Sequence, residues 1–165
     1  MSSESEPKTL TLSETLQGQS DGDLFALWAA TMDELKRRGV IRTANNPVAD
    51  YAEYLVAHEL NATLAHNSNA GYDAIGSDGT RYQIKARRMT RARQSRQLGV
   101  LRNLESDGFD VLAIVLFGPA FELEGIWLVP IEIVLTAATY RPHVNGHVLH
   151  ARPSLLNDPR VTRLM

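Results

Sequence analysis

In the stretch GYDAIGSDGTRYQIKARR, residues 71 to 88, nine residues separate an isolated acid, Asp73, from Gln83-Ile84-Lys85. Residues two apart in a strand share a face, so Gln83 and Lys85 point together, with Arg81, while Tyr82 and Ile84 point the other way. A carboxylate, an amide oxygen and an ammonium on one surface are parts for cleaving a phosphodiester. Hard oxygen ligands hold Mg²⁺, which keeps several waters and takes one or two carboxylates. Such an ion polarises the phosphate and acidifies an attacking water. A lysine beside it can orient or deprotonate that water, or stabilise charge on the phosphorane. Asp73 alone is a thin Mg²⁺ site, and residues 47 to 60 offer Asp50, Glu53 and Glu59 as a second carboxylate. Glu53 is preferred, because Asp50 falls in the first turn of a helix, where the dipole already accounts for an acid.

Whether Asp73 joins that face depends on the turn. A two-residue loop, Asp78-Gly79, would set Asp73 opposite Ile84 and turn the acid toward the core. A three-residue loop, Ser77-Asp78-Gly79, sets it opposite Gln83. The longer loop wants a type I turn followed by a residue in the left-handed region, and Gly79 stands at that position. The same register puts Tyr72, Ala74, Tyr82 and Ile84 together on the core side and leaves Ile75 on the polar face.

Charge is unevenly spread around this hairpin. Residues 79 to 104 contain no Asp or Glu and eight of the 17 basic residues, although the net charge is −2. A local positive field on an acidic chain suits a polyanion; a solvated arginine face or an acidic protein partner suits it as well. His143, His147 and His150 do not converge if Asn145-Gly146 closes a two-residue hairpin, so no histidine metal site is expected.

The positioning elements follow from pattern. Residues 1 to 20 read as a mobile tail and 21 to 165 as a single domain. Asp23 can cap a helix in which Leu24, Leu27, Trp28, Met32 and Leu35 recur at helical spacing, and Gly39 can end it. Both Trp28 and Trp127 lie in apolar runs expected in a core. Pro47 opens a second helix with Asn45 or Asn46 as cap. A strand over 62–66, the hairpin, a helix over 92–106, a buried strand over 109–117, another strand over GIWLVP and a short helix over 131–138 complete the expectation. There are no cysteines, no long apolar run and no signal-peptide pattern, so a cytoplasmic protein is expected.

From residue 47 to 117 the order is helix, three strands, helix, strand. With that order, Asp73 and the Gln83-Ile84-Lys85 tripeptide resemble the PD-(D/E)XK nuclease superfamily, in the Gln-x-Lys variant of its Mrr-like branch. The resemblance implies an α/β (mixed α+β) restriction-endonuclease-like core, with a mixed central sheet flanked by helices. It implies a Mg²⁺- or Mn²⁺-dependent DNA endonuclease of restriction or repair type, with a homodimer as one assembly. Asp73, Glu53 and the Ile84 carbonyl would take the metal, with Gln83 assisting, and Lys85 would serve the nucleophilic water. Arg81, Arg87, Arg88, Arg91, Arg93 and Arg96 would meet DNA phosphates; about five such contacts imply a log–log salt slope near −4.5. Tyr72 replaces the motif's proline, and Gln83 replaces an acid, which removes one ligand charge. The alternative is a nuclease-fold nucleic-acid-binding or regulatory module that does not cleave.

Overall fold

The computed structural model describes residues 11–66, 71–106 and 108–165, and its backbone divides into two units, Met1–Ala44 and Asn45–Met165. The boundary falls after the first long helix rather than before it.

In the first unit, α1 (Leu12–Gln17) is held by a capping box: Glu14 N–H donates to Thr11 Oγ1 (3.3 Å) and Thr11 N–H to the Glu14 carboxylate (2.8 Å). Part of the expected tail is therefore helical; residues 1 to 10 lie outside the described residues. Helix α2 (Asp21–Arg37) is capped by Ser20, whose Oγ accepts from Asp23 N–H at 3.2 Å. Asp23 lies in the first turn and is not the cap, because Ser20 satisfies the orphan N–H one turn earlier. Gly39, at φ +72°, follows the helix as expected. The apolar stripe is not packed away: Leu24, Phe25, Leu27 and Trp28 are exposed. Trp28, expected in a core, is about half exposed (53%).

The second unit begins with α3 (Val48–Leu60), where Asn46 Oδ1 accepts from Val48 N–H (3.2 Å) and Asn61 ends the helix at φ +49°. There follow β1 (Thr63–Leu64), β2 (Ala74–Ile75), β3 (Arg81–Arg88), β4 (Val111–Phe117) and β5 (Leu123–Pro130). Then come α4 (Ile131–Ala137), β6 (Thr139–Arg141), β7 (Gly146–Val148), α5 (Pro153–Leu156) and β8 (Thr162–Arg163). The main sheet is mixed, in the order β1-β2-β3-β4-β5-β8, with β3 and β4 parallel and the other pairs antiparallel. Every residue of β4 except Val111 is buried, as its unbroken apolar run requires of a strand covered on both faces.

Alternation divides the core in two. Ala74, Ile84, Ala113, Val115 and Ile126 face Ala52 and Val56 of α3. Leu112, Ile114, Leu116, Trp127 and Val129 face the opposite layer with Leu98, Leu101, Leu104 and Leu149. Tyr72 packs with this second layer rather than beside Ala74, so the chain leaves the strand pattern at Asp73.

The helix expected over 92–106 does not form. The crossover from β3 to β4 is irregular and instead bonds to the segment around β7. Leu98 N–H donates to Leu149 O (2.9 Å), Leu101 and His147 exchange bonds of 2.9 and 2.8 Å, and Ala151 N–H reaches Arg96 O (3.0 Å). Leucines three apart satisfy a helix, but they also suit a chain that dips into the core between bridges. Here Gly99 weakens the helix and the distant backbone supplies the partners. The two-residue Asn145-Gly146 loop is also corrected: Pro142 opens a 3₁₀ turn over Pro142–Val144, so Arg141 pairs with Gly146 across four residues. Among the described residues no helix is long and apolar enough to cross a membrane.

Candidate active site at the Asp73 hairpin

The hairpin closes on three residues. Gly76 N–H donates to Thr80 O (2.9 Å), Gly79 N–H to Gly76 O (3.0 Å), and Gly79 adopts φ +87°, a conformation that suits glycine. Asp78 braces the turn by accepting Thr80 N–H (3.0 Å) and Thr80 Oγ1–H (2.8 Å), and the backbone bond, then the hydroxyl, hold its carboxyl below the usual range. Ala74 then pairs with Tyr82, and Ile75 with Arg81. The next pair along would be Asp73 with Gln83.

At Asp73 a side chain replaces the ladder. Its Oδ2 accepts the Ile84 N–H at 2.6 Å and also the Gln83 Nε2–H. Its own N–H donates to Tyr82 O (2.8 Å), and its O accepts from Ala65 N–H (2.8 Å). The arm leading into it is fixed by a close approach of Gly71, at φ +115°, to Gly108: a Cβ on Gly108 would lie 3.1 Å from Gly71 Cα. The acid is thus anchored across the hairpin at the point where β2 gives out.

Gln83 and Lys85 project from the sheet face opposite α3, since Tyr82, Ile84 and Ala86 between and beyond them pack toward α3. Lys85 is half-buried, and the crossover passes its stem at Gly99, where a Cβ would sit 3.8 Å from Lys85 Cδ. Among the described residues the Lys85 ammonium has no hydrogen-bond or ion-pair partner. Such a half-buried cation, on the strand whose Gln83 and Ile84 anchor Asp73, is available to an external anion. Glu53 is half-buried on α3, the helix covering the other face of the sheet, and it already has an interaction of its own. Among the described residues no group of three or more His, Asp or Glu could hold a metal ion.

The donors fit a hard cation in kind. Asp73 is a carboxylate, and Ile84 O leaves the strand on the same edge as Ile84 N–H, toward that carboxylate. They are low in charge, because Gln83 presents its amide N–H to Asp73. Its oxygen faces the acid only after a half-turn of the amide.

The arginines divide by partner. Arg81 forks onto Asp110, with Nη2 to Oδ1 at 2.7 Å, Nε to Oδ2 at 3.1 Å and its backbone N–H to Oδ2 at 2.8 Å. Its side-chain bonds and then its backbone bond hold the Asp110 carboxyl below the ordinary range. Arg88 lies on the α3 face, with its guanidinium 4.4 Å from the Phe121 ring centre and Nε donating to Pro119 O at 3.0 Å. Arg96 approaches Glu124 at 3.4 Å. Arg87 shares the Lys85 face and donates through Nε to Ser95 O (3.1 Å), while Arg91 and Arg93 are exposed beyond it. Alternation along β3 was a signal in the sequence that Arg87 and Arg88 must part. Asp110, Pro119 and Phe121 are distant in sequence and gave none. No protein-family model matches the chain, and no curated protein matches it in sequence.

Proposed function

We propose that the protein is a DNA endonuclease-like phosphodiesterase of the restriction-endonuclease-like class, working with Mg²⁺ or Mn²⁺ at the Asp73 hairpin. The observation that carries this reading is the Lys85 ammonium, half-buried and without a partner among the described residues, on the strand whose Gln83 and Ile84 hold the Asp73 carboxylate. Asp73 and the Ile84 carbonyl would hold the metal, while Glu53, on the helix that covers the other face of the sheet, is left out of this ligand set. The ion would polarise the scissile phosphate and acidify a bound water. Lys85 donates to the phosphate oxygens and stabilises charge as it develops there. The Asp73 bond to Ile84 N–H fixes the carboxylate across the hairpin. Arg87, Arg91 and Arg93 position the backbone without reading bases.

A second reading has its own observation. With Asp73 Oδ2 already satisfied by two N–H donors, the hairpin is self-sufficient, and a nucleic-acid-binding module without turnover would look the same. Supercoiled plasmid incubated with protein and Mg²⁺ or Mn²⁺ separates the two. Nicking that EDTA and Asp73→Ala both abolish supports the first. Duplex binding without nicking in either metal supports the second, and a protein that neither binds nor nicks DNA contradicts both.

A further inference from the structure

Most of the protein's arginines answer its own acceptors. Arg37 and Arg38 meet Glu34, Arg81 meets Asp110, Arg160 meets Asp158, and Arg163 donates to the Met165 and Glu124 carbonyls. Arg141 and Arg152 do not. Among the described residues neither guanidinium has a hydrogen-bond or ion-pair partner. Both line a single cavity of about 290 Å³ together with Thr139, His150 and Ser154, and no acid among the described residues lines it.

The topology explains how they meet. In the β6–β7 pair Thr139 lies across from Val148, and Arg141 across from Gly146. Alternation puts Thr139, Arg141, Val148 and His150 on one face, while Tyr140 and His147 take the other, their rings 5.3 Å apart. Arg152 and Ser154 arrive at the start of α5, and Ala137 and Leu155 add apolar wall. The crossover bridges, Gln97 with His150 and Leu101 with His147, fix the β7 wall through the backbone. The backbone of that wall is therefore fixed, while Arg141 and Arg152 themselves are exposed and open to an incoming anion.

We propose that this cleft is a binding site for a terminal phosphate group. A guanidinium carries five N–H donors and no acceptor, and two of them facing one cavity call for an anion with several acceptor oxygens. A tetrahedral phosphate dianion can take a forked contact from each arginine and still accept from the Ser154 and Thr139 hydroxyls. A carboxylate has only two oxygens to share among them. The volume admits a phosphoryl group with an attached sugar and excludes a duplex. The phosphate belongs either to a free phosphorylated small molecule or to a nucleic-acid end. No residue of the Asp73 hairpin lines the cleft, so the site stands or falls apart from the proposed nuclease function.

The test is a titration of the ¹⁵N-labelled full chain with inorganic pyrophosphate at low salt, following the arginine Nε–H signals. Saturable shifts of Arg141 and Arg152 are expected. Arg141→Gln and Arg152→Gln should each weaken binding about tenfold or more, the usual effect of losing a charge-assisted contact. Arg37→Gln, an exposed charge elsewhere, should leave it unchanged. Arg152→Lys keeps the charge but not the fork and should fall several-fold; binding as tight as wild type in that variant would reduce the cleft to diffuse electrostatics and overturn the site. Binding indifferent to both glutamine variants, or weakened as much by Arg37→Gln, would also overturn it. In competition, a 5′-phosphorylated oligothymidylate displacing pyrophosphate where its 5′-hydroxyl counterpart does not assigns the site to nucleic-acid ends. Displacement by thymidine 5′-monophosphate alone assigns it to small molecules, and either outcome supports a terminal-phosphate site.

Discussion

Six arginines surround the candidate site in sequence; under the proposed function three of them are available to DNA phosphates, and salt dependence can count them. Arg81 is held by Asp110, Arg88 by Pro119 and Phe121, and Arg96 by Glu124. Arg91 and Arg93 remain beyond the Lys85 face, and Arg87 on it is tied only through Nε to Ser95 O, which leaves its Nη groups for a phosphate. Each neutralised phosphate contributes about −0.9 to the log–log slope, so three contacts give about −2.7 and six about −5.4. Raising salt from about 50 to about 200 mM then weakens binding about 40-fold in the first case and about 1,800-fold in the second. Fluorescence anisotropy of a labelled duplex, without divalent cation, measures the slope directly. Arg91→Gln and Arg93→Gln should each reduce its magnitude by about 0.9, whereas Arg88→Gln should leave it unchanged. A slope near −5.4, or a loss of about one unit on Arg88→Gln, would refute the division of the arginines by partner.

Other consequences are open to measurement. Arg81→Ala should lower stability by about 1 kcal/mol, because the pair is part-exposed, with thermal unfolding about 2–4 °C lower. Asp110 has a depressed folded pKa, so its contribution is present above the unfolded value near 3.9 and is lost as pH falls through the folded one. The melting difference between wild type and Asp110→Asn should accordingly shrink below about pH 4. Gly79→Ala forces a side chain into φ +87° and should cost about 1 kcal/mol, with Gly79→Asn milder; equal melting of Gly79→Ala and wild type would contradict the three-residue loop. Gln83→Glu places a second carboxylate against Asp73. It should destabilise the protein in EDTA, and Mg²⁺ should restore the melting temperature, as ligand linkage requires of a metal site; an effect of the substitution that ignores Mg²⁺ counts against one.

The hairpin was legible because its evidence is local. Loop length, the glycine at the third loop position and strand alternation are read within a dozen residues, and together they set Asp73 across from Gln83. β4 was legible from one unbroken apolar run. The crossover was not, since Leu98, Leu101 and Leu104 satisfy a helix equally well, and the backbone around His147 that claims the segment lies more than forty residues on. Separations of 29 and 31 residues hid the fates of Arg81 and Arg88 in the same way. Tyr72 escaped because alternation assumes a ladder, and at Asp73 the carboxylate takes the ladder's place. The openness of the Leu24–Trp28 face was hidden because periodicity shows which face is apolar and not what covers it.

The central claim is that Asp73 and Lys85 form a metal-dependent phosphodiesterase centre, and the rate of plasmid nicking under excess enzyme tests it most directly. With Mg²⁺ or Mn²⁺, Lys85→Ala should slow nicking by about 10²-fold or more, the scale of losing an electrostatic stabiliser at the phosphate. Asp73→Ala should remove it, with both variants folded and still binding duplex. Nicking at the wild-type rate in both variants would place the chemistry elsewhere and contradict the account.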